Sequence, residues 1–142
     1  MPQTRKNHKG HGGASTNKYE RMVIRLLSVL DTIKLYHWMT NNYSAHKISD
    51  ELYGELQSKT DALVENIIGM KNGEGKPRII RLSHINSIPI KVNSQAQMKK
   101  YLVDFKDYLM REITPAEGVS SMAIRDELVE AVNKYLYLDY MV

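Results

Sequence analysis

Apolar residues recur at steps of three and four in four separate runs of this chain, with one long break between the second and third runs. Such a period puts one face of a helix against a core. The first run, from about Lys18, carries Val23, Leu26, Leu27, Leu30, Ile33 and His37, and it should end near Asn41–Asn42, because asparagine favours turns and caps. The second extends from about Ser44 to Gly69 on the stripe Ile48, Leu52, Leu56, Leu63 and Ile67, with Gly69 as its C-terminal stop. Gly54 inside it costs about 1 kcal/mol of helix propensity relative to alanine, which predicts close approach of another helix. Residues 71–93, with Gly73, Gly75, Pro77 and Pro89, read as a crossover holding one short helical turn, although Ile88–Val92 is strand-like. Ser94 and Gln97 form a capping box for a third helix to about Ile113, with Met98, Tyr101, Leu102, Phe105 and Leu109 inward. Thr114, Pro115 and Gly118 punctuate the chain before a fourth helix from about Ser121, striped by Ile124, Leu128, Val132 and Leu136. Two helical hairpins joined by a long crossover describe an all-α, ferritin-like four-helix bundle over residues 18–142.

Composition narrows the function classes. At 142 residues, 42% hydrophobic and 25% charged, the chain has enough material for one globular core. No run approaches the length of a membrane span, and no apolar leader opens the sequence, so an intracellular location is expected. There is no cysteine, which excludes disulfides, thiolate zinc sites and thiol catalysis. The net charge of +4 is unevenly placed: Arg5, Lys6, Lys9 and Lys18 stand in a stretch with no acidic residue, whereas the rest of the chain balances 16 basic against 16 acidic side chains. Residues 1–17 therefore read as a flexible basic tail. With Lys18 it would hold double-stranded DNA through phosphates, without reading sequence and with strong salt dependence. A solubilising tail without a partner is the plainer alternative, and His8 and His11 within it are read as merely polar. Lys71, Lys76, Arg78 and Arg81 make a second basic stretch.

The chemistry-bearing set is His37, His46, Asp50, Asp61 and Glu65. His37 lies near the end of the first helix, on its inward stripe. His46 and Asp50 are four apart, as are Asp61 and Glu65, and these four share one side of the second helix. Imidazole with carboxylates suits iron, manganese or zinc, and the oxygen-rich composition favours the first two. One chain cannot close such a site. His46 and Glu65 are separated by about 28 Å along a helix rising 1.5 Å per residue, whereas a metal–ligand bond is about 2 Å. Convergence requires two copies of the second helix packed antiparallel across a two-fold axis. His37, His46 and Asp50 of one subunit then face Asp61 and Glu65 of the other. Taken singly, a histidine near a helix end is most often a hydrogen-bonded structural residue, and a helical carboxylate most often faces solvent.

His37-Trp38, Tyr43, His46, Asp50, Tyr53, Leu56, Asp61 and Glu65 together resemble the signature of the Dps family, the DNA-binding mini-ferritins of stressed cells. The resemblance covers Leu35 to Ile67 closely and the remainder in layout. It implies a dodecameric shell whose inter-subunit sites bind Fe(II), oxidise it with peroxide or O2, and store ferric mineral. It further implies Trp38 beside the site, DNA protected through basic tails, and residence in the cytoplasm or nucleoid, or with the DNA of a virus. His37, His46, Asp50, Asp61 and Glu65 would be both ligands and catalytic groups, with iron as the metal and other divalent ions as substitutes. The sequence departs from the family in a shorter step of nine residues between the histidines, in a missing turn glycine, and in Lys47 and Ser49 beside the second histidine.

There is no Glu-x-x-His, which excludes the di-iron site built within one subunit. Asp126, Glu127 and Glu130 read as acidic residues favourably placed at the opening of the fourth helix, with an acidic ion-entry pore as the alternative. Two further readings remain beside the ferroxidase: a non-catalytic shell that coats or compacts DNA, and a bundle whose acidic stripe only pairs with basic residues at an interface.

Overall fold

The computed structural model describes residues 15–142, so Arg5, Lys6, Lys9, His8 and His11 lie outside the described residues. Four helices form: α1 (Lys18–Met39), α2 (Tyr43–Gly73), α3 (Gln95–Glu112) and α4 (Val119–Tyr140). Short 3-10 turns at Leu82–His84 and Pro115–Glu117 interrupt the connections, and there is no strand among the described residues. α2 packs against both α1 and α4, and α3 packs against α4.

The core follows the expected stripes with two shifts. On α1 the buried face is Met22, Leu26, Val29, Leu30, Ile33 and Tyr36, whereas Leu27 is exposed and Val23 only half-buried. On α4 Leu128, Val132 and Tyr135 are inward, and Leu136 is at the margin. The second helix does not stop at Gly69. It continues to Gly73, because the left-handed residue that ends it is Gly75, at φ 76°. The N–H of Gly75 reaches the Asn72 carbonyl (3.0 Å) and that of Lys76 reaches the Lys71 carbonyl (2.9 Å), the paired bonds of a Schellman stop. An added Cβ at Gly54 would meet nothing within 4 Å, so no helix among the described residues approaches there. α4 begins at Val119, which leaves Asp126, Glu127 and Glu130 beyond its first turn, where the helix dipole has faded. Asp126 instead pairs with Arg125 and Glu127 with Lys59, each at 2.8 Å.

The crossover is tied down by buried polar groups of α1. Asn17 and Glu20 cap that helix reciprocally, an arrangement that the sequence reading missed. The Glu20 carboxylate is fully buried and accepts from the Arg81 backbone N–H (2.9 Å), Nε (3.0 Å) and Nη2 (2.8 Å), with His84 Nδ1 at 3.2 Å. The Arg81 guanidinium holds its carboxyl far below the usual carboxylate range, against the opposing effect of burial. Further along, Ser28 Oγ accepts from the Ile88 N–H (2.8 Å) and Thr32 Oγ1 from the Ile90 N–H (3.1 Å). Four residues of helix rise about 6 Å and two extended residues span about 6.6 Å, so the two ladders match in step. The strand-like run is thus an extended segment hydrogen-bonded to helical hydroxyls. Between α3 and α4 Thr114 and Glu117 form a second reciprocal cap, with Glu117 buried.

Candidate functional site

The turn between α1 and α2 is three residues, Thr40 to Asn42, and it is closed locally. Asn42 Oδ1 accepts from the Ala45 N–H (3.0 Å) and Thr40 Oγ1 from the Asn42 N–H (3.3 Å). His37 lies three residues before this turn and His46 four residues after it, and their hydrogen bonds are reciprocal. His37 Nδ1–H donates to the His46 carbonyl and His46 Nδ1–H to the His37 carbonyl, both at 2.8 Å. The rings stack with centroids 3.8 Å apart and planes 20° from parallel. Ser49 Oγ also donates to the His46 carbonyl (3.0 Å) and lies 3.3 Å from His37 Nδ1.

This geometry fixes the tautomers. A carbonyl oxygen only accepts, so each Nδ1 carries the proton and each neutral ring keeps its lone pair on Nε2. Backbone carbonyls at one ring nitrogen are the common way to orient a histidine whose other nitrogen takes a metal. His37 is buried, His46 half-buried, and Asp50 Oδ1 stands 3.9 Å from His37 Nε2. Asp50 is also 3.8 Å from Lys34 Nζ, and that ammonium lies 4.3 Å from the Tyr53 ring centroid. Trp38, at 67% exposure, points largely into solvent at the same end of the bundle.

His37, His46 and Asp50 therefore come together. Asp61 and Glu65 do not join them: both are exposed, further along the unbroken α2. No group of three or more His, Asp or Glu side chains is placed to hold a metal ion among the described residues. Asp61 lines an open groove of about 710 Å³ between α1 and α2, with Leu27, Leu30, Asp31, Tyr53 and Gly54 among its walls. Lys18 is the first residue of α1, and its ammonium pairs with the buried Glu117. Of the second basic stretch, Arg81 is engaged with Glu20 and Lys71 with Glu74 (3.3 Å), which leaves Lys76 and Arg78 on the surface.

No helix among the described residues is long and apolar enough to cross a membrane. No curated protein and no solved structure matches the chain. One family model matches residues 37–138, from the first histidine of the pair almost to the end of α4. The chain thus belongs to DUF5856, a family of unknown function.

Proposed function

We propose that this chain is a divergent Dps-like mini-ferritin that oxidises Fe(II) at sites shared between two subunits, stores the ferric product, and holds DNA without sequence preference. The observation that carries the reading is the reciprocal histidine pair, which leaves a lone pair on each Nε2, that of His37 lying 3.9 Å from Asp50 Oδ1. In this account His37, His46 and Asp50 supply one half of each site. Asp61 and Glu65 of a second, antiparallel copy supply the other. The α1–α2 groove supports that pairing: Leu27 is exposed, Gly54 leaves its surroundings open, and Asp61 lies in the wall. The hairpin–crossover–hairpin order supports a ferritin-like bundle and, by extension, a closed shell.

Iron is the substrate. His Nε2 atoms and carboxylates hold Fe(II) and favour the ferric state through added negative charge. Each ferrous ion gives up one electron. A peroxide takes two, its O–O bond breaks, and two hydroxides result. Removal of Fe(II) and peroxide together would spare nearby DNA. The basic residues Arg5, Lys6 and Lys9 would supply the DNA contacts, repeated over many subunits. Lys18 would add only its remaining exposed surface.

One observation favours a non-catalytic shell as a second reading. Lys34 Nζ lies 3.8 Å from Asp50 Oδ1 and competes for that carboxylate, and no three donors are placed to hold a metal ion among the described residues. Anaerobic Fe(II) followed by peroxide separates the two. The ferroxidase oxidises iron above a protein-free control, and loses that activity when Asp61 and Glu65 become alanine. No oxidation above the control would sink it. For DNA, deletion of residues 1–17 should abolish retention at low salt, and unchanged retention would refute the role of the tail.

A further inference from the structure

A second cavity, of about 430 Å³, opens between α1, the crossover and α3, and none of the five residues above lines it. Its α1 wall carries Lys18, Arg21 and Arg25; its α3 wall carries Tyr101, Tyr108 and Glu112. Two of the three cations are engaged, Lys18 with Glu117 and Arg21 Nη1 with the Thr16 carbonyl. Arg25 differs. Its guanidinium lies 4.9 Å from the Tyr108 ring centroid, and its Nε is buried with no hydrogen-bond partner among the described residues. A buried charged donor without an acceptor is costly, and an oxyanion held at the part of the guanidinium that lines the cavity would offset that cost.

The other walls narrow what that acceptor is. Burial pushes the Tyr101 phenol up, and burial with the Glu112 charge pushes Tyr108 up to about 12, so both remain protonated near neutral pH. The aromatic rings and the volume leave room for more than a bare ion. The first 14 residues contain no acidic side chain, so the chain's own N-terminal segment cannot provide the anion. Glu112, 3.6 Å from Arg111 Nε, adds negative charge to the lining, which weighs more heavily against a polyphosphate than against a single phosphate group.

We propose that this cavity is a binding site for a phosphate-type oxyanion, inorganic phosphate or a phosphate monoester, held by the Arg25 fork with Arg21 and Lys18 in support. A guanidinium offers the planar pair of N–H donors that a phosphate accepts side by side. Tyr101 and Tyr108 supply an apolar wall beside which a ring carried on the same ligand would lie. This assignment does not rest on the ferroxidase reading and survives its failure.

Titration of the isotope-labelled full chain tests it, with the arginine Nε–Hε signals followed by NMR. Inorganic phosphate is added in one arm and adenosine 5′-monophosphate in the other, against chloride at equal ionic strength. The Arg25 Nε–Hε signal should shift saturably with at least one of them. Arg25→Gln should weaken binding by about tenfold or more, equivalent to 1.4 kcal/mol, whereas Arg78→Gln should leave it unchanged. Tighter binding of the nucleotide, with shifts of the Tyr101 and Tyr108 ring signals, identifies a ring-bearing monoester as the source. Equal affinities identify phosphate alone. No saturable Arg25 shift in either arm, or an equal loss with Arg78→Gln, overturns the proposal. The wild-type titration decides even where Arg25→Gln fails to fold, and Arg25→Lys then serves as the variant that keeps the charge but loses the fork.

Discussion

Thr32→Val probes the seam between α1 and the crossover with almost no change in volume. Thr32 is fully buried; its hydroxyl donates to the Ser28 carbonyl (2.7 Å) and accepts from the Ile90 N–H (3.1 Å). Valine keeps the shape and removes both bonds. The Ser28 carbonyl retains its helical partner, so the principal loss is the orphaned Ile90 N–H. A buried unsatisfied donor costs about 1–3 kcal/mol. Ile90 is 45% exposed, so the segment can lift towards water, which places the cost near the lower end. We expect destabilisation of about 1 kcal/mol, or about 3–5 °C in Tm for a domain of this size. Urea unfolding followed by far-UV circular dichroism measures the global effect, and amide exchange measures the local one. Ile90 should lose most of its protection and Ile88 part of it, while Leu102 and Leu128 fall only by the global change. Ser28→Ala in the Thr32→Val background should cost less than in the wild type, because both hydroxyls pin one segment. An unchanged unfolding midpoint with Ile90 as protected as before would refute the hydroxyl ladder.

Three further outcomes follow from the same geometry. Glu20 is held below its ordinary value of 4.5, so its contribution to stability is complete above that pH and declines as pH falls through the folded-state value; acid titration of Glu20→Gln by thermal melts should show a shallower loss below pH 4.5 than the wild type, and parallel curves would contradict the assignment. Gly75→Ala, at φ 76°, should destabilise by about 1 kcal/mol in urea unfolding, whereas a neutral result would mean that the α2 stop lies elsewhere. Gly54→Ala meets open space within the chain and should raise helix stability by about 1 kcal/mol, while Gly54→Leu should weaken self-association measured by sedimentation. Unaltered association in Gly54→Leu would place the subunit contact on another face.

Much of the fold was legible because period and punctuation agree: the three-residue turn, the crossover and the start of α3 lie close to where the sequence puts them. The end of α2 was not, since Gly69 and Gly75 look alike in sequence and only the latter has the left-handed backbone. Gln97 was half-read: Ser94 caps its N–H (3.2 Å), but its side chain takes the N–H of Asn93 (2.7 Å). Glu20 looked like an ordinary acidic residue at a helix start, because its burial depends on Arg81, 61 residues away. The signal available was Asn17 three residues before it, a capping pair in plain spelling. The histidines were legible as a pair of candidates. Their mutual hydrogen bonds were not, because those depend on the length of the turn, which had first to be known. Asp61 and Glu65 were legible as candidates, and the structure leaves both exposed on α2, apart from the histidine pair.

If each site draws one half from each of two subunits, two variants damaged in opposite halves should complement one another. His46→Ala damages one half-site and Asp61→Ala the other, so each variant alone should oxidise no Fe(II) above the control. When the two are unfolded together in equal amounts and refolded, half the dimers are mixed, and each mixed dimer has one intact site across its two-fold axis. The account predicts recovery of about one quarter of the wild-type rate. A mixture as inactive as its parents, formed from subunits that do associate, would contradict it.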